Sequence, residues 1–94
     1  MQIYVRLTKS LCHLNNGRKE AVQTLPDGSN IAHLIDEMEK EMPGIRSAVF
    51  DAADEIADSI NLYVKGENIR YLQGSATILS DGDQVNIIPA AAAG

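Results

Sequence analysis

Residues 60–65, INLYVK, and residues 80–89, SDGDQVNIIP, decide the fold. In the first segment Ile60, Leu62 and Val64 alternate with Asn61, Tyr63 and Lys65. That is the two-residue period of a strand with one buried face. Gly66-Glu67-Asn68 is predicted to turn the chain. From Ile69 to Leu79 the large residues Tyr71, Leu72 and Ile78 follow neither a helical nor a strand period, which predicts a short irregular strand or turn. Ser80-Asp81-Gly82-Asp83 then turns the chain into a second strand, with Val85 and Ile87 inward and Ile88 outward.

Working toward the N-terminus, residues 31–42 place Ile31, Leu34, Ile35, Met38 and Met42 at helical spacing. Ser29 or Asn30 can cap this helix after the Pro26-Asp27-Gly28 turn, and Pro43-Gly44 ends it. The opposite face carries Asp36, Glu37, Glu39, Lys40 and Glu41, with Asp36 placed to pair with Lys40. Residues 45–59 allow a helical turn around Ile45–Phe50 and then a surface loop. At the start of the chain Ile3, Val5 and Leu7 alternate with Gln2, Tyr4 and Arg6, which predicts an opening strand. Residues 8–17 read as a loop, and residues 18–25 as a second strand whose poor alternation suits a sheet edge. The element order is α+β: a mixed sheet of four to five strands with one main helix packed on one face, its first and last strands parallel neighbours.

The 94 residues, 45% hydrophobic and 22% charged, support one modest core. The expected organisation is a domain over residues 1–89 and a flexible tail over 90–94, where no side chain exceeds a methyl group. A net charge of −5 argues against a nucleic-acid partner, which calls for clustered Lys and Arg. No apolar run reaches membrane-spanning length, and MQIYVRLTK alternates where a secretion signal would be charged and then apolar. A cytoplasmic location with no membrane partner is therefore expected. A single cysteine, Cys12, with only His13 and His33 as companions, provides neither an internal disulfide nor a zinc site. Asp51, Asp54, Glu55 and Asp58 lack the glycine and ligand spacing of a cation loop and read as a solvated face, so no metal ligands are assigned. Phosphate-loop, dinucleotide, zinc-protease and dithiol motifs are all missing, so catalysis by this chain is not expected.

The run NLYVKGENIRYLQGSATILSDGDQVNIIPA, residues 61–90, resembles the C-terminal third of the ThiS/MoaD-type ubiquitin-like sulfur carriers. The points of resemblance are Asn61, Val64, Gly66-Glu67 and Ile69-Arg70, then Leu79 with Asp81-Gly82-Asp83, then Val85, Ile87 and Pro89-Ala90. The opening strand, the Pro26-Asp27-Gly28 turn and the helix ended by Pro43-Gly44 extend the similarity over the chain. The family includes the small subunit of molybdopterin synthase and carriers of cysteine and thiamin biosynthesis. Its fold is the β-grasp, which agrees with the element order read from the residues.

The resemblance implies that Gly94 is the reactive end. An E1-like adenylyltransferase using ATP and magnesium would adenylate its carboxylate, and a sulfur donor would convert it to a thiocarboxylate. The sulfur would pass to a downstream enzyme or a synthase large subunit in molybdopterin-type cofactor or cysteine biosynthesis. No cofactor would be bound by this chain. Ala90, Ala91, Ala92 and Ala93 would form the segment that enters the partner. The family usually ends in Gly-Gly, and here Ala93 takes the penultimate place. Two other roles are compatible with the same fold: a ubiquitin-like protein modifier, and a non-catalytic binding subunit in which Ala93 disables the tail. For docking, the strand phases put Tyr4, Tyr63 and Ile88 on the sheet face away from the helix, beside the exit of the tail. Arg70 either contacts the partner or satisfies a turn carbonyl or an acidic neighbour.

Overall fold

The computed structural model describes residues 1–90. Ile3, Val5 and Leu7 are buried and Gln2, Tyr4 and Arg6 exposed along β1 (Gln2–Leu7), as their alternation requires. The same logic holds for β3 (Ile60–Val64) and β5 (Gln84–Pro89). With β2 (Glu20–Thr24) and the two-residue β4 (Glu67–Asn68) they form a five-stranded sheet in the order β2-β1-β5-β3-β4. Strand β5 runs parallel to β1, Leu7 beside Ile87, and antiparallel to β3, Ile60 beside Pro89.

Helix α1 (Ile31–Glu41) begins at Asn30, whose side chain accepts from the His33 amide at 2.9 Å while the His33 Nδ1 accepts from the Asn30 amide at 3.1 Å. This is a capping box with histidine where glutamate or glutamine is usual. Ile31, Leu34, Ile35 and Met38 are fully buried. They share one core with Ile3, Val5, Leu7, Leu62, Val85 and Ile87 of the sheet. Each such side chain contributes about 1.5–3 kcal/mol by leaving water. Helix α2 (Ile45–Val49) adds Ile45 and Val49, and a short 3-10 turn at Cys12–Asn15 brings Leu11 and Cys12 into the core.

Two local expectations are corrected, and of the short irregular strand or turn expected over residues 69–79 it is the turn that is found. Asp36 does not pair with Lys40: it meets Arg46 at 2.8 Å, and Lys40 meets Glu37 at 3.2 Å. Arg46 lies over the Phe50 ring and also reaches Asp54, so a longer-range cation outcompetes the helical neighbour. Gly66-Glu67-Asn68 is not all turn. Lys65 and Gly66 both take positive φ, the geometry of a two-residue hairpin loop, and Glu67 and Asn68 already pair with β3. Residues 69–79 hold two 3-10 turns, Ile69–Tyr71 and Gly74–Ala76, and no strand.

The end of α1 is fixed by one carboxylate. Glu39 accepts from the Arg46 amide at 2.9 Å and from the Gly44 amide at 3.1 and 3.2 Å. These donors, Arg46 first, hold its pKa below the ordinary value of 4.5. Because the folded value is the lower one, the stabilisation is present above pH 4.5 and is lost as pH falls through the folded value. Glu39→Gln keeps an acceptor and loses the charge. Its urea midpoint is expected to lie below that of the parent at neutral pH, with the gap closing in acid below the ordinary glutamate range. A gap independent of pH would show that the charge contributes nothing.

Candidate functional site

The tail-bearing end is built from the last strand outward. The turn before β5 is tied to β1: the Gln2 amide donates to Asp81 Oδ1 at 2.7 Å, the Gly82 amide to the Gln2 carbonyl at 2.8 Å, and the Tyr4 amide to the Asp83 carbonyl at 2.9 Å. Buried Asp83 accepts from the Ser80 amide at 2.8 Å and faces Lys65 at 3.4 Å. With its start fixed, β5 carries Val85 and Ile87 through the core and delivers Pro89 beside Ile60. The Ala90 amide then donates to the Ser59 carbonyl at 2.8 Å, so Ala90 is held at the root of the tail. Ala91, Ala92, Ala93 and Gly94 lie outside the described residues.

Arg70 supports that root. Its Nη2 donates to the Ala57 carbonyl at 2.7 Å and the Ile60 carbonyl at 2.8 Å, and its Nε to Asn61 Oδ1 at 3.4 Å. The bonds straddle the turn whose Ser59 carbonyl receives Ala90. Of the two roles the sequence left open for Arg70, the structure places its guanidinium on turn carbonyls. Its backbone is directed there by Asn68, whose side chain accepts from the Arg70 amide at 2.9 Å.

Tyr4, Tyr63 and Ile88 do share the sheet face opposite α1, together with Asn61, Gln84 and Asn86. The register separates them along it. Tyr63 pairs with Asn86 and Asn61 with Ile88, so Tyr63 and Ile88 are diagonal neighbours near the exit of the tail. Tyr4 is level with Gln84 at the start of β5. At about 3.3 Å per residue that is roughly 17 Å short of Pro89. The expectation that Tyr4 flanks the exit is therefore corrected, because β1 and β5 run parallel and Tyr4 lies early in its strand. Its neighbour is the exposed Val22 across β2, which the sequence reading did not single out.

Other candidate groups serve the fold. The Cys12 thiol is buried and donates to the Lys9 carbonyl at 3.4 Å. Asp51 Oδ1 accepts from the Ala53 amide at 2.8 Å and the Glu55 amide at 3.1 Å. No cluster of three or more potential metal ligands occurs among the described residues. One concavity follows Leu25–Ser29 and the start of α1, and another lies between Val64, Leu72 and Ile78. Both open at the pole where β1 and β5 begin, opposite the tail. No helix among the described residues is long and apolar enough to cross a membrane.

The ThiS family model matches residues 5–94. The chain belongs to the ThiS family. The sulfur carrier protein CysO of Mycobacterium tuberculosis is 33% identical over 69 residues, 71% of this chain and 74% of the relative. The small archaeal modifier protein 3 of Haloferax volcanii is 27% identical over 78 residues, 83% and 84% of the two chains. A chain in the crystal structure of the BexX/CysO complex of Amycolatopsis orientalis superposes with a TM-score of 0.84 at 27% identity, covering 98% of this chain and 99% of that one. This ThiS-family chain thus has the β-grasp fold of the small ubiquitin-like sulfur carriers and modifiers.

Replacing Arg70 by methionine removes the donors to Ala57 and Ile60. At about 1 kcal/mol of local stability, the Ala90 amide is expected to exchange hydrogen roughly fivefold faster, with the Val85 and Ile87 amides unchanged. Arg70→Lys should recover part of the protection. Unchanged exchange at Ala90 would remove Arg70 from the support of the tail.

Proposed function

We propose that this chain is a sulfur carrier activated at its Gly94 carboxylate. A carboxylate is a poor electrophile because its leaving group would be oxide. An E1-like enzyme solves this by joining the carboxylate to the α-phosphate of ATP, releasing pyrophosphate and leaving AMP as the leaving group. Sulfide delivered by a donor then displaces AMP and leaves a thiocarboxylate, a sulfur nucleophile at neutral pH. ATP, magnesium and the acid–base groups belong to the partner. This chain contributes a compact body, a root held at Ala90 and a run of small residues. The sulfur passes to a cofactor or cysteine pathway through a downstream enzyme or a synthase large subunit. The observation that carries the reading is the family match, which continues through Gly94.

The likeness to a small archaeal modifier protein favours a second reading, in which the same acyl adenylate is passed to a lysine amine to form an isopeptide bond. A binding subunit whose tail is disabled by Ala93 is the third.

Intact-mass spectrometry separates them after incubation with ATP, magnesium, a sulfide source and the adenylating enzyme of the same cell. The parent chain is expected to gain the mass of one oxygen exchanged for sulfur, and deletion of Gly94 to abolish the gain. Ala93→Gly should accelerate the gain up to about thirtyfold. Conjugates to lysine with no sulfur gain would favour the modifier. No gain in the parent, with a gain in Ala93→Gly, would favour the binding subunit.

A further inference from the structure

The first 19 residues contain Arg6, Lys9, Arg18 and Lys19 and no acidic residue, while residues 20–94 hold four Lys or Arg and all 13 acidic groups. The fold gathers the basic segment at one corner. β1 ends at Leu7, whose amide donates to the Lys19 carbonyl at 2.7 Å just before β2 begins. Because β1 and β5 are parallel with Leu7 beside Ile87, this corner stands at the end of the sheet where Pro89 and Ala90 emerge. All four basic residues are exposed.

The remaining cations are engaged within the fold: Lys40 with Glu37, Arg46 with Asp36 and Asp54, Lys65 with Asp83, and Arg70 on carbonyls. At the corner, Arg6 meets Glu20 at 3.5 Å with both side chains more than half exposed, a weak pair. Lys9, Arg18 and Lys19 have no acidic partner among the described residues. Across β5, the turn into β3 carries the exposed Asp58 together with the Arg70 guanidinium, so the unpaired cations lie on the β1–β2 side of the root.

We propose that the corner formed by Lys9, Arg18 and Lys19 is a docking surface for an acidic rim on the protein that receives the tail. This rests on the carrier reading in taking that protein to be the adenylating enzyme. With a net charge of −5, the chain as a whole is repelled by an acidic surface, and approach with this corner leading puts the unpaired cations first. Since screening confines interactions to about 8 Å at physiological salt, the local corner outweighs the distant acidic groups. Electrostatics of this kind raises the rate of encounter and fixes its orientation, and here the favoured orientation presents the tail end first.

Arg18→Glu and Lys19→Glu change the charge as much as Lys40→Glu, whose lysine is on α1, outside the basic segment, and already pairs with Glu37. Association with the adenylating enzyme is measured at low and high salt by stopped flow. The two corner variants are expected to associate about tenfold more slowly at low salt and to converge with the parent at high salt, with Lys40→Glu within about twofold of it. The thiocarboxylation kcat at saturating carrier should be unchanged. Equal slowing by Lys40→Glu would reduce the effect to net charge. A loss confined to kcat would point instead to contact with the nucleotide phosphates, and failure of the parent to associate would also overturn the proposal. The sulfur mass gain is read separately: its presence with insensitive association sinks the corner alone, and corner-dependent association without it sinks the carrier reading alone.

Discussion

The insertion of β5 between β1 and β3 is the constraint on which the remaining structure depends. The last strand in the sequence is central in the sheet, bonded to the first strand on one side and to β3 on the other. Parallel neighbours cannot be joined by a tight turn, so the intervening chain must cross the sheet, and α1 covers the inner face as it does so. Val85 and Ile87 complete a core that the earlier elements cannot close alone. One consequence is that the terminal segment departs from the middle of the sheet. Its root is bonded to the turn before β3 through Ala90 and Ser59, a firmer origin than a sheet edge would supply.

A second consequence is the division of labour between the two faces and the end of the sheet. The inner face is apolar and packed against α1 and is committed to stability. The outer face is mixed, with Tyr4 and Val22 toward one edge and Tyr63 and Ile88 near the exit. The end where the tail leaves carries the charge asymmetry. Chemistry performed on a terminal carboxylate by another protein needs no pocket in the carrier. Arg70, Ser59 and the pairing of β5 fix the direction in which the chain leaves the sheet at Ala90.

The sequence made β1, α1, β3 and β5 legible because in each the buried positions are apolar and strictly periodic. β2 was blurred because its inward positions are the small Ala21 and Gln23, 4% exposed, whose side-chain amide is satisfied by Glu41 at 3.0 Å. A pattern of hydrophobicity cannot register a buried glutamine with a remote partner. Residues 66–79 were opaque because 3-10 turns have neither period and are held by particular bonds, such as the Gln73 amide to Thr77 Oγ1 at 3.1 Å. At the site, the shared face of Tyr4, Tyr63 and Ile88 followed from alternation alone. The position of Tyr4 along the face depended on register, which arises from β1–β5 pairings between residues eighty positions apart.

Ala93 bears on how far the carrier chemistry extends to this chain, and magnitudes narrow the question. Four residues follow Ala90, a span of at most about 14 Å when fully extended. If the partner requires positive φ at the penultimate residue, alanine costs about 1–2 kcal/mol relative to glycine. That corresponds to a factor of roughly 5–30 in an equilibrium or a rate. If an extended backbone is required, the only added demand is the width of one methyl group. A conformational penalty therefore slows activation without abolishing it, and complete loss would require a wall of the slot in direct contact with the glycine Cα. If this segment enters a slot in the partner, the methyl side chains of Ala90, Ala91 and Ala92 require one that admits a Cβ at successive positions. A partner shaped for this tail has less need of a glycine at the fourth.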